Sequence, residues 1–525
     1  MIRLTPLLGL AAVLLSASAG IASAEVVLNR GNDTDPATLD IHQVSSVSES
    51  NILRDLYEGL VTEAADGSLL PAVAERWDIS PDGRTYTFHL RADAKWSNGD
   101  PVTAEDFVFA LHRIMDPKTA APYANILFDI LNAEDVAAGK KPADALGAKA
   151  VDPQTLELTL RAPAPYFLQL LTHSTAKPLH RKSVEALGDA FTKPGNLVSN
   201  GAYTLASFVP NDRVVLKKNP EFWDAAHVAI DTINWIPFED RSACIRRFEA
   251  GEVQICSDLP AEQMSYLKDK HADALRIAPY LGVYYLPVKT TKEKFADPRV
   301  RQAISMAIDR DFLAEEVWQG TMLPAWALVP PGISNFVETP PQLPYAGDDQ
   351  LDREDAARKL LEEAGVTGLT IQLSYNSGEN HKNTMAAVGD MLSNIGITTT
   401  MNEMEGTTYF KYLREGGDYD IARAGWIGDY SDPQSFLFLY ESGVPFNYPG
   451  WSNAEYDAKM DAAALTEDLP ARAKLLSEAE EIFLSDVPAI PVLYYSSRAL
   501  VSPRLTGWID TILDNHATRW LALSQ

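Results

Sequence analysis

One segment of the chain, residues 423–433 with the sequence RAGWIGDYSDP, combines side chains that could bind a charged ligand. Arg423 and Asp429 carry opposite charges, Trp426 offers a flat apolar surface, and two glycines would let a ligand approach the backbone closely. A zwitterion needs this combination, because a carboxylate pairs with its ammonium and a guanidinium with its carboxylate. The same residues also suit a loop with an internal Arg–Asp ion pair and a core tryptophan, so two interpretations stand at this point.

Strands separated by helices surround this segment and predict an α/β fold. The periodicity places strands at residues 370–374, 398–401 and 420–424, and helices at 352–364, 384–394 and from about 408. This alternation implies right-handed crossovers and a mostly parallel sheet. Because open α/β sheets bind ligands beyond the carboxyl ends of their strands, we expect the binding position in the loop that follows Ala424.

The first part of the chain has a different pattern. Tyr86, Phe88 and Leu90 alternate with polar residues, which is typical of a half-buried strand. Further expected elements are a strand near 26–28, a helix at about 48–60, a strand near 156–160, and helices that begin after Thr103 and at Pro298.

Length, composition and charge exclude several classes of protein. The chain has 525 residues, of which 46% are apolar and 22% charged, so neither a disordered chain nor a disulfide-dense miniprotein fits. Its formal net charge of −27 would repel phosphate backbones, and we expect no nucleic-acid partner.

Catalytic chemistry has no support in the sequence. The G-x-S-x-G, P-loop, H-E-x-x-H and G-x-G-x-x-G motifs are absent, and the nine histidines are scattered. We therefore predict no enzyme, no catalytic residue, no metal site and no cofactor.

The first 24 residues predict export. A short basic start and an apolar stretch precede Ala22-Ser23-Ala24, the pattern that a signal peptidase cleaves. A membrane anchor is the alternative, but no stop-transfer charges flank the stretch. No cysteine lies near the cleavage site, so we expect no lipid anchor, and a periplasmic protein that begins at Glu25.

Cys244 and Cys256 are the two cysteines of the chain. We expect Cys244 in a helix and Cys256 on the following strand, in an oxidising compartment where a disulfide could persist. A bridge and two buried thiols are both compatible with this pattern.

Several motifs closely resemble those of the periplasmic oligopeptide-binding proteins of ABC importers, within family 5 of the solute-binding proteins. They include RDLYEGL (54–60), LPAVAERW (70–77) and WSNGDPVTAEDF (96–107). Further matching stretches are residues 49–51, 119–123, 200–203, 219–220, 223–224, 297–311 and 423–436. The resemblance extends from about residue 25 to the C-terminus.

The resemblance implies a type II periplasmic-binding-protein fold of class α/β, in which two hinged lobes close on an extended peptide beside an extra, cluster C-like subdomain. Lobe I is expected at residues 25–57, 182–281 and 495–525, the subdomain at 58–181, and lobe II at 282–494. The implied partners are short peptides and the permease subunits of the inner membrane, and the implied state is a monomer.

Site residues also follow from the resemblance. Asp429 corresponds to the aspartate that takes the peptide's α-ammonium, Gly425 to the backbone that pairs with the peptide, and Trp426 to a pocket wall. The remaining matches are basic or lining positions: Arg423, Arg414, His381, Tyr123, Val47 and Tyr285.

The chain departs from the family pattern at several of these positions. Ser45 replaces a lining carboxylate, and Trp318 replaces a basic residue that binds the C-termini of longer peptides. Ile427 and Gly282 occupy the positions of a disulfide that some members carry beside the site. Peptide length therefore stays open, as does an alternative ligand such as a murein peptide, an oligosaccharide, an opine or a metal chelate.

Overall fold

The largest β-structure is a nine-stranded mixed sheet, seen in a computed structural model that describes residues 25–44 and 46–524. The expected signal peptide, residues 1–24, and the site position Ser45 lie outside the described residues. Eight strands follow one another across the sheet in the order Ala424–Ile427, Leu275–Pro287, Ala489–Val501, Ile255–Ser257, Val27–Asn32, Thr232–Pro237, Arg213–Lys218 and Tyr203–Val209. Leu323–Pro324 pairs with Ala489–Val501 outside this path.

Two long strands at one side of this sheet connect different parts of the molecule. Leu275–Pro287 and Ala489–Val501 each span 13 residues and run antiparallel, with a register shift between Pro279 and Val283. Ala489–Val501 joins two large hydrophobic clusters, since Val501 belongs to the one that includes Leu28 and Val492 to the one that includes Val283. Leu275–Pro287 packs into the second of these clusters. The lobe boundaries expected after residues 281 and 494 fall within these two strands.

A four-stranded antiparallel sheet lies apart from the large one and is formed by Ala74–Ile79, Thr85–Leu90, Thr155–Thr159 and Ala148–Asp152. The alternation at residues 85–90 is confirmed, because Tyr86, Phe88 and Leu90 are all buried. Helix Ala104–Met115 packs against this sheet and begins with the capping box of Thr103 and Asp106. The apolar alternation and the capping residues thus predict this strand and this helix correctly.

A three-stranded parallel sheet confirms the α/β pattern of the second half. Its strands, in spatial order, are Thr398–Met404, Thr370–Asn376 and Ile421–Ala422. The single strand expected at 420–424 is wrong, because the structure ends the parallel strand at Ala422 and starts another, Ala424–Ile427, in the nine-stranded sheet. The expected binding loop after Ala424 therefore begins as a β-strand of the large mixed sheet.

The longer α-helices surround these sheets. They are Val47–Leu56, Ala104–Met115, Arg181–Leu187, Arg241–Glu249, Met264–Lys270, Pro298–Ala307, Gln350–Glu363, Glu379–Asn394, Gly406–Arg414, Ala454–Ala464 and Leu469–Asp486. The helix expected to reach residue 60 ends at Leu56, because the backbone of the next residue, Tyr57, is extended. Two short hairpins complete the strands, Val61–Glu63 with Leu69–Pro71 and Leu505–Thr506 with Ala522–Leu523.

A disulfide joins Cys244 on helix Arg241–Glu249 to Cys256 on strand Ile255–Ser257. This settles the open choice between a bridge and two thiols. Both residues belong to a small hydrophobic cluster with Ile245, Met264 and Leu500.

Candidate functional site

The segment that contains Asp429 begins as an edge strand of the nine-stranded sheet. Ala424–Ile427 pairs antiparallel with Leu275–Pro287 on one side, and among residues 25–44 and 46–524 no strand pairs with its other side. The amide of Gly428 donates to the carbonyl of Leu281 at 2.7 Å and ends the pairing. An edge strand exposes unpaired N–H and C=O groups to which an extended chain can add.

Gly425 lies in this strand because a neighbouring side chain leaves no space for a larger residue. A Cβ at this position would lie 2.6 Å from the hydroxyl oxygen of Tyr495. Tyr495 in turn accepts a hydrogen bond from Arg423 Nη2 at 2.6 Å. The glycine is therefore explained by close packing of Tyr495, a residue that the sequence did not single out.

Asp429 is a half-buried carboxylate, with 15% of its side chain exposed, and its contacts are all uncharged. The Tyr123 hydroxyl donates to Asp429 Oδ2 at 2.8 Å, and His173 Nε2 lies 3.8 Å from Oδ1. Burial lowers the pKa of His173 to about 3, so this imidazole is neutral. No lysine or arginine of the described residues forms an ion pair with Asp429. Burial consequently raises the pKa of Asp429 to about 7, against the opposing effect of the Tyr123 hydrogen bond.

Aromatic rings form a wall beside this carboxylate. Tyr123 stacks on Trp426 with ring centres 6.4 Å apart, and on His173 at 5.2 Å. Phe446 lies 5.2 Å from Trp426 and 5.9 Å from Tyr123. Tyr123 packs against both large hydrophobic clusters, so the wall stands at their junction. A buried ammonium beside such rings would gain both an ion pair and cation–π attraction.

Arg423 lies at the other end of the segment and does not pair with Asp429. Its guanidinium donates to Asn376 Oδ1 at 3.2 Å and lies 4.8 Å from the ring centre of Tyr284. Its Nε is buried without a hydrogen-bond partner, and no carboxylate among the described residues lies within ion-pair distance. The internal Arg–Asp ion pair considered from the sequence is therefore wrong.

His381 lies near Arg423, on helix Glu379–Asn394. Its ring centre is 5.8 Å from that of Tyr284 and 6.3 Å from that of Trp318. Burial, followed by the nearby charge of Arg423, holds the pKa of His381 well below its usual range. Its Nδ1 is buried without a partner. The basic end thus offers unpaired nitrogen atoms where the acidic end offers an unpaired carboxylate.

Three expected site residues do not contact Asp429, Arg423 or His381. Arg414 ends helix Gly406–Arg414 with an exposed side chain, and Val47 is 54% exposed at the start of its helix. Tyr285 is buried against Tyr440, whereas its neighbour Tyr284 faces Arg423. Ser45 lies outside the described residues.

The sequence did not single out His173, Tyr284, Tyr495 and Phe446, which the structure places at the two ends. Tyr284 precedes the predicted lining residue Tyr285, and strand alternation separates their faces. Tyr495 lies on the second long strand, where it faces Tyr284. Long-range proximity of this kind has no local sequence signal.

Among residues 25–44 and 46–524, no three His, Cys, Asp or Glu side chains gather as a metal-binding group. The helices of these residues include none with the length and apolar character that a membrane crossing requires.

The chain is similar to known solute-binding proteins over nearly its whole length. It is 38% identical to the periplasmic oligopeptide-binding protein OppA of Escherichia coli strain K12 over 510 residues, which cover 95% of this chain and 93% of that protein. A crystal structure of Haemophilus influenzae OppA in complex with RPPGFSPFR superimposes with a TM-score of 0.89 at 35% identity, covering 96% of this chain and 100% of that one.

The Escherichia coli murein tripeptide-binding protein MppA superimposes with a TM-score of 0.90 at 35% identity, covering 96% of this chain and 99% of that one. Its unliganded open form superimposes with a TM-score of only 0.73 at the same identity, covering 95% and 98%. The present arrangement therefore differs from that open form.

The fold of these solved structures is the type II periplasmic-binding-protein fold, which confirms the expected fold class. The family model of the bacterial extracellular solute-binding proteins, family 5, matches residues 68–448. The chain belongs to this family of solute-binding proteins.

Proposed function

We propose that this protein is the periplasmic binding component of an ABC importer and captures short peptides in extended form. The observation that carries the proposal is Asp429, a half-buried carboxylate with only uncharged neighbours among the described residues, just beyond an edge strand whose outer side is unpaired in those residues. A peptide's α-ammonium is the cation that a group in this position would bind. The oligopeptide-binding relatives support the same ligand class.

Backbone pairing explains how one site can take many peptides. An extended peptide has unpaired N–H and C=O groups, and each costs roughly 1–3 kcal/mol if it is buried without a partner. Strand Ala424–Ile427 offers such partners along its free edge. Side chains can occupy hydrated pockets, because bridging waters replace direct bonds at modest cost.

Closure of two lobes would complete the enclosure. We divide the chain as the resemblance implies, with lobe I at 25–57, 182–281 and 495–525, the subdomain at 58–181, and lobe II at 282–494. Strand Ala489–Val501, which enters both large hydrophobic clusters, and its partner Leu275–Pro287 support a hinge between the lobes. A ligand shifts this equilibrium only by preferring the closed state.

Delivery and location belong to the same proposal. Cleavage after Ala24 would release a periplasmic monomer, which hands its cargo to the permease subunits of the inner membrane. The periplasmic relatives support this location. We expect peptide to leave chemically unchanged, since the family consists of solute-binding proteins.

A murein peptide is the second candidate ligand. The high structural similarity to MppA favours a murein peptide. A murein peptide with a free amino group would be captured in the same way as an ordinary peptide. Chiral amino-acid analysis of the ligand released from the purified protein distinguishes the two, because a murein peptide contains D-amino acids and an ordinary peptide does not.

Titration calorimetry with a tripeptide tests the proposal. A peptide with a free amino terminus should bind, and its N-acetylated form, which lacks the ammonium, should bind far more weakly. Equal affinity for the two forms would refute capture of the amine by Asp429.

A further inference from the structure

Arg498, a residue without a role in the site described so far, lies beside the basic end of that site. It is on strand Ala489–Val501 and only 5% exposed. Its Nη2 donates to Asp258 Oδ1 at 2.7 Å, whereas its Nε and Nη1 are buried and have no hydrogen-bond partner among the described residues. Buried N–H groups without partners are costly, and they indicate a missing acceptor.

Two aromatic rings connect Arg498 to Arg423. The guanidinium carbon of Arg498 lies 5.2 Å from the ring centre of Trp318, and that of Arg423 lies 4.8 Å from the ring centre of Tyr284. The two rings are 6.1 Å apart, and His381 lies within 6.3 Å of both. The indole N–H of Trp318 donates to Thr384 at 3.0 Å, which fixes this ring. Two guanidiniums with unpaired nitrogen atoms therefore lie over two neighbouring rings.

The neighbouring carboxylates do not accept hydrogen bonds from Nε and Nη1 of Arg498. Asp258 is the carboxylate in contact with Arg498, and it also pairs with Arg241, its Oδ2 lying 3.0 Å from Nη2. Asp33 pairs with Arg241 as well, so these four groups balance one another. Arg423 has no carboxylate within ion-pair distance among the described residues. The cluster as a whole can accept negative charge from a ligand.

We propose that Arg498 binds a second carboxylate of the ligand, next to the one held by Arg423, so that the site favours peptides with an acidic C-terminal residue. This proposal rests on the proposed function. A guanidinium with free Nε and Nη positions matches the planar geometry of a carboxylate better than that of a neutral amide.

Calorimetry with the tripeptides Ala-Ala-Glu and Ala-Ala-Gln tests the proposal, because they differ in charge but hardly in size. The wild-type protein should bind Ala-Ala-Glu at least about tenfold more tightly than Ala-Ala-Gln, as expected for hydrogen bonds to a charged group. Arg498→Gln should remove this ratio while Ala-Ala-Gln still binds, and Arg498→Lys should restore only part of it.

Arg241→Gln is the matched control, since it removes the other arginine on Asp258, and it should leave the ratio unchanged. Equal affinity of the wild type for the two peptides would overturn the proposal, as would a ratio that survives Arg498→Gln or disappears in Arg241→Gln. Equal loss of both peptides in Arg498→Gln would assign the residue a structural role instead. Failure of the wild type to bind either peptide would refute the proposed function itself.

Discussion

Asp429 and Arg423 lie at opposite ends of one short segment, and the structure holds their charges in different ways. Asp429 receives one hydrogen bond, from Tyr123, and no fixed cation of the described residues accompanies it. Arg423 is fixed by Asn376 and Tyr495 and shares its surroundings with other nitrogen donors. A single group thus carries the charge at the acidic end, whereas several groups share it at the basic end. Substitution of the one charged group at the acidic end should therefore strongly weaken peptide binding. At the basic end, each single substitution should weaken binding less, because other groups remain.

The largest effect is expected for Asp429→Asn, which keeps the shape and removes the charge. Tripeptide binding should weaken by roughly 2–5 kcal/mol, because an ammonium would be buried without its counter-ion. Titration calorimetry measures the loss, and thermal unfolding confirms that the variant folds. An N-acetylated peptide is the control, since it should bind both proteins equally weakly. Unchanged affinity for the free peptide would remove the contrast between the two ends.

Arg423→Gln should cost less, about 1.5–3 kcal/mol, because other groups at the basic end remain. The loss should depend on peptide length, since only one length places its terminal carboxylate at Arg423. Binding of di-, tri-, tetra- and pentapeptides to this variant and to His381→Asn shows which length suffers. Arg414→Gln should have the smallest effect, because Arg414 is exposed. A uniform loss across all lengths would argue against a terminal anchor.

Lower pH should weaken binding through the acidic end. The pKa of Asp429 is raised to about 7 in the empty site, and a bound ammonium would lower it. The bound state then holds fewer protons, so binding releases a proton and affinity falls as the pH drops through 7. The loss approaches about tenfold per unit below the pKa. Calorimetry in two buffers of different ionisation enthalpy measures the proton release. Asp429→Asn should abolish this dependence, and its persistence would place the titrating group elsewhere.

Tyr123→Phe sharpens the same comparison with the smallest change, the loss of one hydroxyl. Because this hydroxyl donates to the carboxylate, its removal should weaken tripeptide binding by about 1 kcal/mol and raise the pH midpoint of binding. Tyr448→Phe is a suitable control, since its hydroxyl does not bond to Asp429. A midpoint that does not move would show that the hydrogen bond does not tune the carboxylate.

Much of the fold could be predicted from local sequence. The strand at residues 85–90 and the parallel strand at 370–376 follow from the alternation and spacing of apolar residues. The helix that begins at Ala104 follows from its capping residues. The expected single strand at 420–424 is wrong, because no proline or turn motif at Arg423 marks the point where the chain leaves one sheet for the other.

The sequence by itself determined the residue types of the site, an acidic and a basic group separated by glycine and tryptophan, and the periodicity of the surrounding elements. Only the tertiary structure decided that Arg423 and Asp429 stay apart, and that His173 and Tyr495, which no motif indicates, join them. The physical reason is that local patterns report which face of an element is buried, whereas the partners of a buried charge come from distant segments that meet only when the chain folds.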